Sequence, residues 1–336
     1  MSKPVIRVKQ IEISSGLTPA VWVGALSFEQ RCLGSLRAMA SFGVALSTAM
    51  VIDYPTEVSP VGVATKKRKA HWKEMKQKLA AMTTSDDGVS SAKIHPYRLG
   101  AFRGLLQRLL CREVFGPSAR CIIDITCLTK AHTLALASWL VDTRGSRPDV
   151  IVAYTRPEQY GTPAKHLSRS GRWLDTVLAP FELSPQLFLE KANGIILLGH
   201  EGARLSMALT QLVPLSAILL LARTSDREDL QIVTRAANAR LIGEVERGER
   251  PGWVVEQVDT EDVEKIQTTT REFVAKSLHE ERRVVLYPFG PKPLVFAASI
   301  AALGVKRSAI WYCYPVPKVY DVDYTVGIGQ TRWFSV

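Results

Sequence analysis

A short polar segment, Asp124-Ile-Thr-Cys-Leu-Thr-Lys130, lies between the strand pattern of residues 120–125 and an apolar helical pattern. A turn from a strand into a helix presents backbone N–H groups and the positive end of the helix dipole, so it can bind an anion. Thr126 and Thr129 add hydroxyl groups, and Lys130 adds a positive charge. The segment therefore predicts a phosphate-binding turn. The alternative interpretation is that Asp124 and Thr126 only cap the helix.

A second turn of this kind occurs in the C-terminal half of the chain, where Tyr287-Pro-Phe-Gly-Pro-Lys-Pro293 follows an apolar run. Gly290 permits close backbone approach to a ligand, and Lys292 supplies a positive charge. Pro293 suits the start of a helix, because no N–H group is needed there. The turn predicts a second anion site, but a rigid connection without a ligand explains the same residues.

Two Glu/Arg pairs follow the first apolar run of each half: Glu29 with Arg31, and Glu201 with Arg204. Arginine can bind a phosphate or carboxylate through two parallel hydrogen bonds, so both pairs are candidate ligand contacts. The alternative interpretation is an ion pair across each helix start, or between the two halves.

Patterns typical of known catalytic sites are mostly missing from the sequence. There is no Walker loop, no G-x-S-x-G elbow and no G-x-G-x-x-G motif. The histidines have no metal-ligand spacing, so we expect no metal and no cofactor. His200, next to Glu201, could act as a general base. An enzymatic alternative is a phosphodiesterase or ring nuclease, in which positioning alone promotes attack by a 2′-hydroxyl.

The elements that must position these residues occur twice along the chain. Near the start of each half, apolar residues 21–24 and 195–199 precede a Glu/Arg pair. Near the end of each half, apolar runs from Ile122 and from Val284 precede a lysine-containing turn and an apolar helical pattern. Alternating strands and helices predict an α/β fold with parallel sheets. Recurrence after about 160 residues predicts a duplicated domain.

We therefore predict two tandem Rossmann-like halves related by a pseudo-two-fold internal duplication. Residues 1–160 form the first half, the polar and Gly/Ser/Pro-containing residues 161–190 a linker, and residues 191–336 the second half. Open α/β sheets bind ligands outside the carboxyl ends of their strands. We expect the ligand in a cleft between the two halves.

The net charge of +11 is concentrated in one part of the chain. Residues 1–183 carry all of it, and residues 66–112 alone carry +9. Such a patch favours a polyanionic partner, although a solvated basic face is the plainer explanation. The candidate nucleic-acid or anion contacts are basic residues of this patch: Lys66, Lys67, Arg68, Lys69, Lys73, Arg103, Arg108 and Arg112.

The remaining composition predicts a cytoplasmic protein. The sequence has no apolar stretch long enough for a membrane-spanning helix and no secretory signal, so we expect no membrane association. Its five cysteines form no CxxC pair and are interpreted as reduced thiols.

The sequence D-x-T-x-x-T-K at residues 124–130 resembles the ligand-contacting D-x-T-G-G-T-K motif of CARF domains, Rossmann-like sensors of cyclic oligoadenylates in CRISPR and related anti-phage systems. Two such folds in one chain resemble SAVED domains, which sense cyclic oligonucleotides in antiviral defence. Cys127 and Leu128 replace the two glycines of the motif. The resemblance implies ligand contacts by Thr126, Thr129 and Lys130.

Together these features predict a nucleotide- or nucleic-acid-binding sensor that signals to a separately encoded protein partner. The alternatives are the phosphodiesterase described above and a scaffold subunit of a defence complex that docks through its basic face. The oligomeric state, the identity of the ligand and the partner stay open at this point.

Overall fold

The structure is a computed structural model. It describes residues 6–13, 20–54, 63–83, 88–93, 99–109, 120–145, 149–160, 173–179, 192–200, 202–224, 227–306, 310–317 and 325–336. The chain divides into two compact units. The N-terminal unit comprises Val8–Thr162 and Val319–Val336, and the C-terminal unit comprises Met1–Arg7 and Pro163–Lys318.

The N-terminal unit contains a seven-stranded sheet and four α-helices among its described residues. The strands are β1 (Lys9–Ile11), β2 (Ala20–Leu26), β3 (Leu46–Asp53), β4 (Val89–Lys93), β5 (Arg120–Asp124), β6 (Asp149–Thr155) and β15 (Thr331–Ser335). A 3-10 helix at Gln30–Leu33 precedes the helices α1 (Gly34–Ser41), α2 (Val63–Met82), α3 (Leu99–Leu109) and α4 (Lys130–Asp142). Two short strands, β7 (Gln159–Tyr160) and β14 (Thr325–Val326), form a separate antiparallel pair.

The C-terminal unit contains a six-stranded sheet. Its strands are β8 (Trp173–Ala179), β9 (Ala192–Leu198), β10 (Ala217–Arg223), β11 (Trp253–Asp259), β12 (Arg283–Pro288) and β13 (Ile310–Pro317). Its helices are α5 (Gly202–Gln211), α6 (Glu228–Ala237), α7 (Ala239–Glu246), α8 (Val263–His279) and α9 (Lys292–Lys306).

Both sheets have the strand order of a Rossmann-like fold. In the N-terminal unit the parallel strands run β4-β3-β2-β5-β6, and in the C-terminal unit they run β11-β10-β9-β12-β13. In each sheet the first strand therefore lies between the second and the fourth. An antiparallel strand follows the fifth strand in both, β15 next to β6 and β8 next to β13. The predicted α/β fold with parallel sheets is confirmed, while the internal duplication stays a prediction.

The central strands form because their residues are apolar on both faces. β5, β6, β9, β10 and β12 are buried along nearly their whole length, as parallel strands covered by helices must be. The helix α4 is buried from Ala131 to Leu140, and α9 from Pro293 to Leu303. The turn after β5 leads into α4, and the turn after β12 leads into α9. Each turn therefore joins a buried strand to a buried helix, which fixes both of its ends in the core.

The C-terminal residues of the chain belong to the N-terminal unit. The strand β15 pairs with β6, and its Trp333 and Phe334 side chains are buried. Within the segment that we expected to be a linker, residues 173–179 form β8, which pairs with β13. The unit boundaries thus follow strand pairing, which differs from the division at residues 161–190 that composition suggests.

Local hydrogen bonds accompany several helix boundaries. The helix α1 begins at Gly34, after a turn in which the Ser27 hydroxyl accepts the Glu29 N–H at 3.1 Å. The helices α6 and α7 are separated at Asn238, whose side chain donates to the Gly199 and Thr234 carbonyls. The helix α9 continues past Gly304 to Lys306. No helix among the described residues is long and apolar enough to cross a membrane.

Candidate functional site

The sequence-predicted residues of the N-terminal unit lie where the strand order of its sheet reverses. The neighbouring strands β2 and β5 are connected to elements that continue in opposite directions across the sheet, which opens a crevice at their carboxyl ends. Glu29 and Arg31 follow β2, whereas Thr126, Thr129 and Lys130 follow β5. The fold therefore brings both groups to the edge of the sheet at which α/β proteins bind ligands.

Asp124 fixes the turn after β5. Its carboxylate is buried and accepts hydrogen bonds from the Ser35 hydroxyl and, at 2.8 Å, from the Thr126 N–H. The Ser35 oxygen in turn accepts the Trp22 indole N–H at 3.2 Å. Because a buried carboxylate is costly without partners, these donors hold Asp124 in place. The chain Trp22–Ser35–Asp124 thus connects β2, α1 and the turn.

Thr126 points into the protein. It is fully buried, and its hydroxyl oxygen accepts the Thr155 N–H at 2.8 Å. The Thr155 hydroxyl lies 2.9 Å from that of Thr331, so the turn is connected through β6 to β15. Thr126 therefore holds the turn against β6 from the buried side.

Thr129 and Lys130 occupy the half-buried end of the turn. Thr129 is the N-cap of α4, and its hydroxyl accepts the His132 N–H at 3.2 Å. Lys130 is the first residue of the helix. Within the motif, these two residues combine partial exposure with a position at the positive end of the helix dipole.

Tyr54 is a site residue that the sequence reasoning missed. It follows β3, and its hydroxyl accepts the Thr129 N–H at 3.2 Å and lies 3.1 Å from Nδ1 of His132. Its ring stacks on the buried His132 at a centroid distance of 5.5 Å, and Phe102 also stacks on His132 at 4.6 Å. Arg68 donates to the Tyr54 carbonyl at 2.6 Å. The signal in the sequence is an aromatic residue two positions after an apolar run that ends at Ile52.

Glu29 and Arg31 form an ion pair, which is one of the two interpretations that the sequence leaves open. Nε of Arg31 donates to Glu29 at 3.0 Å, and a terminal nitrogen of Arg31 donates to the Thr155 carbonyl at 3.3 Å. The Thr325 hydroxyl donates to the same Glu29 oxygen at 2.6 Å. Burial is the largest single influence and lowers the pKa of Arg31, but the combined attraction of Glu29, Tyr154, Cys127 and Tyr160 raises it well above its ordinary value. Arg31 therefore stays charged at the edge of the crevice.

The cysteines beside this site are buried thiols. Burial raises the pKa of Cys32 well above its ordinary value, and it raises the pKa of Cys313 in the C-terminal unit to about 12. Cys121 and Cys127 are also buried. Among the residues that the structure describes, no group of three or more His, Cys, Asp or Glu side chains could hold a metal ion.

The C-terminal unit places its candidate residues at the corresponding reversal point, between β9 and β12. His200 follows β9, Arg204 lies in α5, and Lys292 begins α9; all three are half-buried. Gly290 is buried in the turn that precedes α9. Glu201 lies outside the described residues.

The two turns of this unit are packed too closely for larger residues. A Cβ atom at Gly199 would lie 2.0 Å from the Phe289 carbonyl oxygen, and one at Gly202 would lie 1.8 Å from that of Ala237. A Cβ atom at Gly290 would lie 3.2 Å from the Leu198 oxygen. Glycine thus serves here for contact between chain segments.

The structure divides the sequence-predicted basic patch. Arg68 is paired with Asp53, and Arg103 with Asp142 at 2.7 Å. Arg112 lies outside the described residues. The exposed members are Lys66, Lys69, Lys73 and Arg108, and Lys67 is half-buried.

Comparison with known proteins gives a fold relationship. No protein-family model matches the chain, and no curated protein matches it. A solved structure described as a type III CRISPR defence DNA nuclease activated by cyclic oligoadenylate aligns with a TM-score of 0.51 at 10% identity. The two proteins share a fold. The alignment covers 84% of this chain and 64% of the nuclease, so the chain spans just under two thirds of that protein.

A second solved structure is a multidomain fragment with adenylation, ketoreductase and pseudo-Asub domains from a keto acid-selecting NRPS module. It aligns with a TM-score of 0.23 at 10% identity and covers 89% of this chain and 30% of that one. A score of this size supports no argument.

Proposed function

We propose that this protein is a sensor of cyclic oligonucleotides that binds a ligand phosphate at the turn after β5. Thr129 and Lys130 contact the phosphate, and Asp124 and Thr126 hold the turn. The observation that carries the proposal is the position of this turn at the reversal point of the sheet, with a lysine at the first residue of a buried helix.

Tyr54 supports a nucleotide as the ligand. It is half-buried beside the turn, and its hydroxyl is held by the Thr129 N–H. An aromatic ring at such a place can stack on a nucleobase while the helix start binds the phosphate. In this proposal the ring of Tyr54 selects a nucleotide over a simple phosphate ester.

Two independent lines of argument lead to the same class of ligand. The sequence D-x-T-x-x-T-K resembles the ligand-contacting motif of cyclic oligoadenylate sensors. The fold is shared with a nuclease described as activated by cyclic oligoadenylate. The motif is local and the fold comparison is global, so neither depends on the other.

The C-terminal unit supplies a second phosphate-binding position in this proposal. Lys292 begins a buried helix at the reversal point of its own sheet, as Lys130 does in the N-terminal unit. Two arginines are further candidate contacts. Arg31 is ion-paired with Glu29, and Arg204 lies three residues after Glu201 in the sequence. In this proposal each unit therefore offers its own position for a phosphate group.

In this proposal the protein acts in antiviral defence. Ligand binding changes its interaction with a separately encoded protein partner. Thr129 and Lys130 lie on the turn after β5, which Thr126 connects to Thr155 of β6 and through it to Thr331 of β15. These connections offer a route by which an occupied turn can alter a distant surface.

The experiment that tests the proposal is a thermal-unfolding panel with cyclic di-, tri- and tetranucleotides, matched linear oligonucleotides and mononucleotides. A ligand at 100 times its Kd stabilises the folded protein by about 2.7 kcal/mol. At about 2–4 °C per kcal/mol, a cyclic ligand should raise the unfolding midpoint by several degrees. No shift with any cyclic oligonucleotide would contradict the proposal.

Chromatography of the ligand after long incubation distinguishes a sensor from the enzymatic alternative. A sensor returns the cyclic oligonucleotide intact. Conversion to linear products would instead assign a phosphodiesterase activity, with His200 the first residue to substitute.

A further inference from the structure

The helix α2 presents a row of four exposed lysines, Lys66, Lys69, Lys73 and Lys76, which we call the lysine stripe. Their spacing of three, four and three residues places them on one face of the helix. On another face Met75 and Leu79 are fully buried. The stripe therefore lies on the solvent side of a helix that is anchored by its apolar side.

Among the described residues, no acidic side chain is paired with the lysine stripe. None of the ion pairs between described residues involves its four members. Glu74 is the one acidic residue in the sequence of α2, and it pairs with Arg37 at 2.7 Å. An unpaired row of like charges repels itself, so it gains from an external polyanion.

The helix that carries the stripe is held in a fixed orientation. On its inner side, Arg68 pairs with Asp53 and donates to the Tyr54 carbonyl. His71 is hydrogen-bonded through Nδ1 to the Ser27 carbonyl at 3.0 Å. A rigid helix presents its lysines at constant spacing, which lowers the entropy lost when a regular partner binds.

The spacing of the stripe matches a phosphate backbone. At 1.5 Å per residue, the ten steps along the helix from Lys66 to Lys76 span about 15 Å. A nucleic-acid strand in a duplex carries one phosphate for each 3.4 Å or so of helix axis. Several phosphates therefore lie within reach of the four lysines.

The two aromatic residues of α2, His71 and Trp72, each contact another group of the protein. Trp72 is half-buried, and Nζ of Lys76 lies 5.3 Å from the centre of its ring. His71 is engaged with Ser27. Proteins that prefer single strands combine positive charge with exposed aromatic platforms. A surface with charge alone fits a duplex, in which the phosphates face outward and the bases are paired.

We propose that the lysine stripe binds the phosphate backbone of double-stranded nucleic acid without reading its sequence. This surface is separate from the turns that bind nucleotide in the proposed function, and it does not depend on them. Full engagement of four lysines releases four counterions, so the logarithm of affinity should fall against the logarithm of salt concentration with a slope of about −3.6.

The test measures binding of the full-length protein to a fluorescent duplex of mixed sequence, by anisotropy over a range of salt concentrations. Duplex DNA, duplex RNA and single strands of equal length are compared. The variant replaces the first three lysines of the stripe: Lys66→Gln, Lys69→Gln and Lys73→Gln. We expect it to bind the duplex more weakly and to lower the magnitude of the salt slope by about 3.

The matched control replaces three exposed lysines elsewhere and so makes the same change in net charge: Lys93→Gln, Lys276→Gln and Lys306→Gln. This control should keep the affinity and the slope of the unchanged protein. All substituted positions are exposed, and thermal unfolding of each variant checks that it is folded.

Three results would overturn the proposal. They are no duplex binding by the unchanged protein, equal loss of binding in both triple variants, and tighter binding of single strands than of duplexes. Equal loss of duplex binding in the two triple variants would show that binding depends on the net charge of the protein and not on the lysine stripe. Preference for single strands would place the contacts on another surface.

Discussion

The hydroxyl oxygen of Tyr54 lies 3.2 Å from the backbone nitrogen of Thr129, whose N–H group it accepts. The two residues follow different strands of one sheet, β3 and β5, and are 75 positions apart in the sequence. The contact gives a polar partner to an N–H group at the start of α4 and places an aromatic ring beside Lys130. It joins the two features, an anion-binding helix start and a stacking surface, on which the proposed function depends.

Replacement of Tyr54 by phenylalanine should weaken nucleotide binding. The ring can still stack on His132, but the Thr129 N–H and Nδ1 of His132 lose the hydroxyl. Loss of one such hydrogen bond costs about 1 kcal/mol, or several-fold in Kd, measured by calorimetric titration.

The control for this change is Thr234→Val in the C-terminal unit. The Thr234 hydroxyl donates to the Leu230 carbonyl at 2.9 Å, so this variant also loses one hydrogen bond to the backbone. It should lower the unfolding midpoint without weakening nucleotide binding at the Lys130 turn. Equal weakening by both variants would show that Tyr54 acts only through general stability.

Ser35→Ala should destabilise the N-terminal unit. The substitution removes the hydroxyl that donates to buried Asp124 and that accepts the Trp22 indole N–H. Leaving buried polar groups without partners costs about 1–3 kcal/mol, which thermal unfolding detects. Ser41→Ala is the control, because the exposed Ser41 bonds only its own helix, at the Ala38 carbonyl. If Ser35→Ala and Ser41→Ala had equal unfolding midpoints, the hydrogen bonds from Trp22 through Ser35 to Asp124 would not stabilise the unit.

Two glycine substitutions in the C-terminal unit should change the free energy of unfolding in opposite directions. Gly202→Ala places a Cβ atom 1.8 Å from the Ala237 oxygen, and the overlap should cost about 1–3 kcal/mol. Gly304→Ala meets no atom within 4 Å and lies inside α9, so it should stabilise by up to about 1 kcal/mol. The two unfolding midpoints, compared with the unchanged protein, test both statements. A stabilised Gly202→Ala would contradict the close packing of this turn.

The parallel core was predictable from the sequence because its signals are local. The strand β10 is apolar and buried from Ala217 to Ala222 and ends at the exposed Arg223. The position of Thr129 and Lys130 at the start of α4 was also predictable, since a polar turn separates two apolar runs. Such patterns report burial on both faces of a strand or around a helix.

Contacts between distant segments were not predictable in the same way. The strands β8 and β15 are antiparallel to the neighbours β13 and β6, and nothing in their own residues specifies this pairing. The stacking of Tyr54 on His132 joins residues 78 positions apart. Arg68, read as part of a basic surface, is paired with Asp53 because the fold brings α2 against the end of β3.

Calorimetric titration with a cyclic oligonucleotide tests phosphate binding at the turn after β5 most directly. It compares the affinity of the ligand for two variants, Lys130→Glu and Lys276→Glu. Lys276 is exposed on α8, outside the proposed sites, and gives the same change in charge. A hydrogen bond to a charged group contributes about 1.5–3 kcal/mol, so Lys130→Glu should raise the Kd by at least about tenfold. The Lys276→Glu variant should bind like the unchanged protein. An unchanged Kd in folded Lys130→Glu would contradict phosphate binding at this turn.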